Sequence, residues 1–568
     1  MNIIPKVKNI NKTDGNVNLS KIKWHFCENC DARVMNEAVL ICHSIDSGFP
    51  VYIYTENTND EAYTLKIEPK CIEIISKGAN GAFYALQTLK LILKENADSV
   101  QCQVINDFPD MKYRGFYHDV TRGKVPTLKT LKELVDTLAV FKMNSLQLYI
   151  EHTFEFKEYE FCREELGCLT RKEIAELDAY CKSKFVELIP SISTFGHLYH
   201  LLSSDNYRHL SEFPDYVPTK HYWIERMNHH TINPELKESF LLIKGLIDQY
   251  IEVTTSNKFN ICCDETFDLG RGVNQGKDKT KLYVNFVKKI IGYLNSKGKT
   301  VMMWGDIVLK HPDCIKELPD DVIFLNWSYA DKPSEDQFKR IYESGRNQIV
   351  CSGTSSWNSF AEDIIVEEGN ITTLTKYAYK YNSIGLLNTN WGDFGNIASI
   401  TMSAYGLILG AALSWNKETI SDSNFRKEAS MAAYGNIEII DILSEISDIR
   451  KYLSWYKVIN GKAGEVQDGY IEKPTLEEYK KILGKLKFMM EKASVLLYTS
   501  DTIKREVLNA IGGFEVMTFL CSKVDGYAIN FDFDCNSWLE EFSELWTMKN
   551  KISELNEVRR ILEDRLRL

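Results

Sequence analysis

The sequence predicts an α/β protein centred on a (β/α)8 TIM barrel, with a small N-terminal α/β domain before it and a helical C-terminal domain after it. Three observations carry that prediction. Between Arg114 and Trp391, eight short runs of strand-forming residues alternate with segments of helical period, the rhythm of a parallel sheet crossed over by helices. Ahead of them the chain alternates apolar and polar residues, and beyond Ile420 only the helical period remains. Finally, 568 residues with 44% apolar content exceed the roughly 250–300 residues that one core accommodates, so two or three domains are expected.

In residues 1–108, Tyr63-Thr64-Leu65-Lys66-Ile67 and Ile72-Glu73-Ile74-Ile75 read as strands, followed by a helix through Ala82, Leu86, Leu89 and Leu93. The turn-forming Asn106-Asp107-Phe108-Pro109-Asp110 segment closes this domain. The barrel, residues 109–418, takes its strands from Arg114–Asp119, Ser145–Ile150, Val186–Ile192, Phe259–Cys263, Thr300–Asp306, Val322–Ser328, Gln348–Gly353 and Ser383–Trp391. Between them, segments such as Thr127–Met143 place Leu128, Leu131, Val135, Leu138 and Phe141 on one face, as outer barrel helices do. Residues 419–568 are helical, with Leu476, Tyr479, Leu483, Leu486 and Met490 three and four apart behind the start signal Pro474-Thr475. The stripe Trp538, Phe542, Leu545, Ile552, Leu555 and Leu562 continues it as core.

The formal net charge of −11 is spread over mixed-sign segments without a long Lys/Arg run, which argues against nucleic acid as a partner. Met1 to Ser20 lacks an apolar core of signal-peptide length, and no stretch of about 18 apolar residues occurs elsewhere. A soluble cytoplasmic protein without a membrane partner is expected. Cysteines such as Cys102, Cys181 and Cys351 are scattered singly, as free buried thiols in a reducing compartment are. Cys27 and Cys30 form a lone C-x-x-C without a second pair at zinc-ribbon spacing, and Cys262 and Cys263 point to opposite faces of a strand. Neither a metal nor a cofactor is expected.

Barrel enzymes carry their chemistry at the C-terminal ends of the strands. Here those positions hold Asp119 and Arg122, Glu151 and His152, His197, Asp264 and Glu265, Trp304 and Asp306, Trp327 and Tyr329, Trp357 and Asn358, then Trp391 and Asp393. Tryptophans among a few carboxylates suit carbohydrate, whose C–H faces stack on indole while its hydroxyls donate to acids. The sharpest local signal is Asn260-Ile-Cys-Cys-Asp264-Glu265, where an apolar strand ends in two adjacent acids. Repulsion and desolvation push such a pair towards different pKa values, one acid and one anion, although an acidic helix cap gives the same dipeptide.

Several segments in order resemble glycoside hydrolase family 20, the β-N-acetylhexosaminidases: Gly81-Ala-Phe-Tyr84-Ala-Leu-Gln87, Tyr113-Arg114-Gly115-Phe-Tyr-His-Asp119-Val-Thr-Arg122, Met143-Asn144-Ser-Leu-Gln, Ile189-Pro190 with Phe195-Gly196-His197, and Asp264-Glu265. The resemblance spans roughly residues 60–415 and implies substrate-assisted retaining hydrolysis of terminal β-linked GlcNAc or GalNAc. It implies that Asp264 orients the substrate acetamido group and that Glu265 is the general acid and base. It further implies that Arg122 binds sugar hydroxyls, that His197 tunes the acid, that Trp304, Trp327 and Trp391 wall the sugar, and that Asp393 contacts distal hydroxyls.

Some positions depart from the family pattern. Asn260, Cys262 and Cys263 stand where a His and two Gly are common, and Glu151-His152 stands where an acid supports the histidine. Trp357-Asn358 replaces a Tyr and an Asp, leaving Asn358 or Tyr329 to reach the acetamido carbonyl. Two other readings stay open here, a sugar-binding barrel without catalysis and a retaining glycosidase with two direct carboxylates. The choice of GlcNAc or GalNAc, the oligomeric state and the purpose of the C-terminal helices are open as well.

Overall fold

A computed structural model describes residues 3–158, 167–227, 229–421, 424–462 and 473–567. The N-terminal sheet is formed by β1 (Asn9–Val17), β2 (Ile22–Phe26), β3 (Phe49–Thr58), β4 (Tyr63–Ile67), β5 (Ile72–Gly78) and β6 (Val100–Asp107), in the order β1-β6-β4-β5-β3-β2. On β4 and β5, Tyr63, Leu65, Ile67, Ile72 and Ile74 face the core, as the alternation predicts, and the apolar stripe of the helix Ala79–Asn96 covers them.

The central sheet has eight parallel strands: β7 (Tyr113–Asp119), β8 (Ser145–Tyr149), β9 (Glu187–Ile189), β10 (Lys258–Asn260), β11 (Thr300–Trp304), β12 (Ile323–Trp327), β13 (Asn347–Gly353) and β14 (Gly385–Asn390). Each predicted run overlaps one of them. The ends meet where Asn260 N–H donates to Pro190 O at 2.8 Å and Asn260 O accepts from Ile192 N–H at 3.2 Å, closing the barrel. Both faces of these strands are covered, and β7 and β8 are buried at every residue, with polar members such as Arg114 and Gln147 hydrogen-bonded inside. One correction concerns β10, which stops at Asn260 rather than Cys263: Cys262 and Cys263 have φ of 56° and 63°, a left-handed conformation that no strand sustains. Their side chains still diverge, Cys262 into the barrel interior and Cys263 into the layer beneath the helices.

A buried node joins the N-terminal sheet to the barrel. Asp107 accepts from Lys142 at 2.8 Å, from Tyr63 at 2.7 Å and from Trp415 at 3.0 Å. The C-terminal helices share one continuous core with the barrel, where Phe360 packs edge-on against Trp455, Phe514, Trp538 and Phe542. They also hold the loops that carry candidate site residues. Glu554 N–H bonds Gly123 O at 3.1 Å and Lys551 N–H bonds Val125 O at 2.8 Å, just past Arg122, while Trp455 Nε1 donates to Phe394 O at 2.8 Å, just past Asp393. Among the described residues, one helix, Asp501–Val524, is long and apolar enough to cross a bilayer, and 78% of its apolar window is buried inside the fold.

Candidate active site

The acid pair follows β10 on a chain that turns sharply. An L-residue in the left-handed region costs about 1–2 kcal/mol, and Cys262, Cys263 and Glu265 (φ 46°) all occupy it. Where the related pattern has glycines, the cysteines offset that strain by packing: Cys262 Sγ lies 3.5 Å from Ser191 Oγ, and Cys263 Sγ lies 3.2 Å from Thr194 Oγ1. His197, Asn358 and Asp393 have positive φ as well, so strained backbone concentrates at the rim positions singled out from the sequence.

His197, after β9, sits between the acids. Its Nε2 is 3.3 Å from Glu265 Oε2 and 3.5 Å from Asp264 Oδ2, and its Nδ1 is 4.0 Å from Glu151 Oε1. Glu151 thus stands on the Nδ1 side of His197, beyond hydrogen-bond reach, and receives Tyr149 OH at 2.8 Å. His197 N–H donates to His230 Nδ1 at 2.6 Å, which fixes the turn that aims the ring. Burial opposes charge on this imidazole, but the neighbouring Asp264 and Glu265 carboxylates prevail and raise its pKa well above the ordinary value. A raised folded-state pKa contributes stability that is complete below the unfolded value of about 6.5 and fades as pH climbs through the folded one. His197→Gln is accordingly expected to lower Tm most near pH 6, with the gap to wild type narrowing towards alkaline pH. Thermal melts across the series check this, and a gap independent of pH would refute it.

On the opposite side, Arg122 Nε donates to Asp119 Oδ2 at 2.7 Å and its NH1 lies 3.0 Å from Asp393 Oδ1. The guanidinium stacks on Tyr149 and Trp391 at 5.0 and 4.9 Å. Asn358 Nδ2 donates to Asp393 Oδ2 at 3.3 Å, and its Oδ1 accepts from Phe394 N–H at 3.2 Å, which places Asn358 with the Arg122–Asp393 pair. Tyr329 belongs to the aromatic group. Its hydroxyl accepts from Trp391 Nε1 at 2.7 Å, its ring stacks on Trp327 at 5.1 Å, and Trp391 meets Trp304 at 5.6 Å.

Asp306 stands among the strand-end residues read from the sequence but has no role assigned there, and the fold sets it beside the acid pair. Its Oδ2 accepts the Glu265 N–H at 3.2 Å. A cavity of about 410 Å³ borders Glu265, Asp306, Phe267 and Trp327. Trp223, Arg226 and Glu554 were also missed: Glu554 Oε2 accepts from Trp223 Nε1 at 2.7 Å and lies 3.4 Å from Arg226 NH2, behind Glu151.

Two groups bring potential metal ligands within 4.8 Å of one another: His152 with His200 and Glu554, and His197 with Asp264 and Glu265. In the first, Arg226 and Trp223 already bond the Glu554 carboxylate. In the second, His197 lies between two acids that favour its protonated form, and an imidazolium has no lone pair to give.

A parallel eight-stranded barrel with adjacent acids, a bridging histidine and an aromatic wall at its C-terminal rim is the architecture of a (β/α)8 carbohydrate-active protein. Residues 111–429 match the family model described as glycosyl hydrolase family 20, catalytic domain, and residues 1–108 match domain 2 of the same family. The chain belongs to glycosyl hydrolase family 20. Among curated relatives, a beta-hexosaminidase of Porphyromonas gingivalis is 25% identical over 300 residues, 46% of this chain and 38% of that protein. One from Vibrio furnissii is 24% identical over 387 residues, 60% of each chain. The matches thus span well under two thirds of the length of the first of these relatives. Among solved structures, the chitobiase of Flavobacterium johnsoniae superposes with a TM-score of 0.64 at 15% identity, covering 96% of this chain and 99% of that one. The beta-N-acetylhexosaminidase of Bacteroides fragilis gives 0.60 at 18% identity over 73% and 91%. These likenesses establish the fold.

Proposed function

We propose that this chain is an exo-acting β-N-acetylhexosaminidase that releases terminal β-linked GlcNAc or GalNAc by substrate-assisted retaining hydrolysis. The observation that carries the reading is the state of Asp264. Its Oδ2 is 3.5 Å from His197, while its Oδ1 is buried without a hydrogen-bond partner among the described residues, beside the aromatic wall. A buried carboxylate oxygen without a donor is costly, and an acetamido N–H supplies one within an apolar cage that suits its methyl group.

In the proposed mechanism Asp264 holds that N–H and aims the acetamido oxygen at the anomeric carbon. The oxygen attacks, the C1–O bond breaks, and Glu265 gives its proton to the departing oxygen. The oxazolinium intermediate is positive, and the Asp264 anion stabilises it. Water then adds to C1, Glu265 takes its proton, and the ring reopens with retained configuration. Arg122 and Asp393 bind hydroxyls at the far end of the sugar, Trp391 and Trp304 supply its stacking face, Trp327 and Tyr329 complete the acetamido wall, and Asn358 steadies Asp393. Names of relatives such as the beta-hexosaminidase of Vibrio vulnificus support the substrate class.

The test is hydrolysis of methylumbelliferyl β-N-acetylglucosaminide and β-N-acetylgalactosaminide beside the corresponding β-glucoside. Turnover of the acetamido sugars and none of the glucoside is expected. Cleavage of the glucoside at a similar rate would transfer the site to a two-carboxylate mechanism, and binding without turnover would make it a sugar-binding barrel.

A further inference from the structure

We propose that Asp306 is a positioning residue for the general acid: it anchors the left-handed turn that presents Glu265 to the leaving oxygen. The inference rests on the proposed function and adds a third carboxyl group to it.

Asp306 follows β11, the strand hydrogen-bonded to β10, and the register pairs Asn260 with Met302. Both strands then end, and the turns that follow them bring Asp264 and Asp306 close enough for their carboxyl groups to interact at the rim. Asp306 opens the helix Asp306–Lys310, where an acid in the first turn would ordinarily serve the helix itself. Its contacts say otherwise. Gly305, not Asp306, is the N-cap, and Asp306 Oδ2 reaches across to the Glu265 N–H at 3.2 Å. That bond restrains a residue whose φ of 46° is otherwise unfavourable. Asp306 Oδ1 is buried with no hydrogen-bond partner among the described residues.

The charges facing Asp306 come from several elements. Asp264 and Glu265 approach from the turn after β10, with His197 behind them, and Lys310 lies on the same short helix. Tyr283, on the helix Lys279–Ser296, and Cys263 complete the surroundings. Burial, then the Asp264 charge, pushes the Asp306 carboxyl up to about 7. The anchor holds in either protonation state of Asp306, because a neutral carboxyl group keeps a carbonyl oxygen that accepts the Glu265 N–H.

The experiment compares the full-length wild type with Asp306→Asn and Asp306→Ala on two β-N-acetylglucosaminides. The methylumbelliferyl glycoside needs its leaving group protonated, and the dinitrophenyl glycoside scarcely does. Asp306→Asn keeps an acceptor for the Glu265 N–H and should retain most of the activity on both substrates, with KM unchanged. Asp306→Ala lacks the acceptor, and should lose roughly tenfold or more in kcat on the methylumbelliferyl substrate with only a small loss on the dinitrophenyl one. Equal losses of Asp306→Ala on both substrates, no loss on either, or a loss in Asp306→Asn as large as in Asp306→Ala, would overturn the proposal and leave Asp306 a structural residue. If Asp306→Ala does not fold, Asp306→Leu, similar in size but without an acceptor, takes its place. A folded wild type that cleaves neither glycoside would overturn the proposed function, and this inference with it.

Discussion

Replacing Glu265 with glutamine is expected to lower kcat/KM roughly a hundred- to ten-thousand-fold on methylumbelliferyl β-N-acetylglucosaminide, with a much smaller effect on the dinitrophenyl glycoside. The amide has the size of the acid and leaves the Glu265 N–H on Asp306, so the turn is preserved. What disappears is the proton for the leaving oxygen and the base for the incoming water. A dinitrophenolate departs without protonation, so the ratio of the two losses isolates the acid step from a general collapse of the site. Asp264→Asn should behave differently, impairing both substrates, because aiming the acetamido oxygen and stabilising the oxazolinium precede any question of leaving group. Added azide should not rescue Asp264→Asn, since the missing element is neither a nucleophile nor a base. Equal sensitivity of Glu265→Gln to the two leaving groups would remove Glu265 from the role of acid.

The eight strands were legible because a parallel sheet buried on both faces is written in short, largely apolar runs between helical segments, and that alternation is visible without a structure, even where Arg114 or Asn388 interrupts a run. Their ends were less so. The fourth run read as a strand through Cys263, yet the chain leaves the sheet at Asn260 to make the left-handed turn that presents the acids. Periodicity reports which face is buried and says nothing of φ at two cysteines. Asp306 was visible as a residue at the end of a strand but not as a neighbour of Glu265, because that proximity depends on strand register. Glu554 had no local signal at all. It meets Trp223 across 331 residues of sequence, and only the folded C-terminal helices bring it behind Glu151.

Arg122→Ala is expected to destabilise the protein by about 3–5 kcal/mol, the range for removing one partner of a buried ion pair, and to raise KM sharply in whatever folded fraction remains. Arg122 joins the loop after β7 to the loop after β14 through Asp119 and Asp393, with its side chain only 9% exposed. Asp119 is wholly buried and receives N–H groups from Thr121, Arg122 and Gly392 at 2.9, 3.0 and 3.0 Å. Burial works against its charge, but the Arg122 guanidinium and these N–H donors outweigh it and hold its carboxyl below the usual range. A depressed folded-state pKa contributes stability above the unfolded value of about 3.9 that is lost as pH falls through the folded one. Without Arg122 the principal stabiliser of that anion is gone, so the cost should be largest at neutral pH and shrink on acidification. Arg122→Lys keeps the charge but cannot bond Asp119 and Asp393 from one planar group while stacking on Trp391, so it should retain more stability than activity. Urea titrations at neutral and acidic pH, set beside KM for the β-N-acetylglucosaminide, separate the two effects. The account predicts partial recovery of stability, without recovery of KM, when Asp119→Asn is added to Arg122→Ala, because the second change removes the stranded charge while sugar binding still lacks its guanidinium. A double variant no more stable than Arg122→Ala would show that the cost lies in lost packing on Tyr149 and Trp391 rather than in the stranded Asp119 anion.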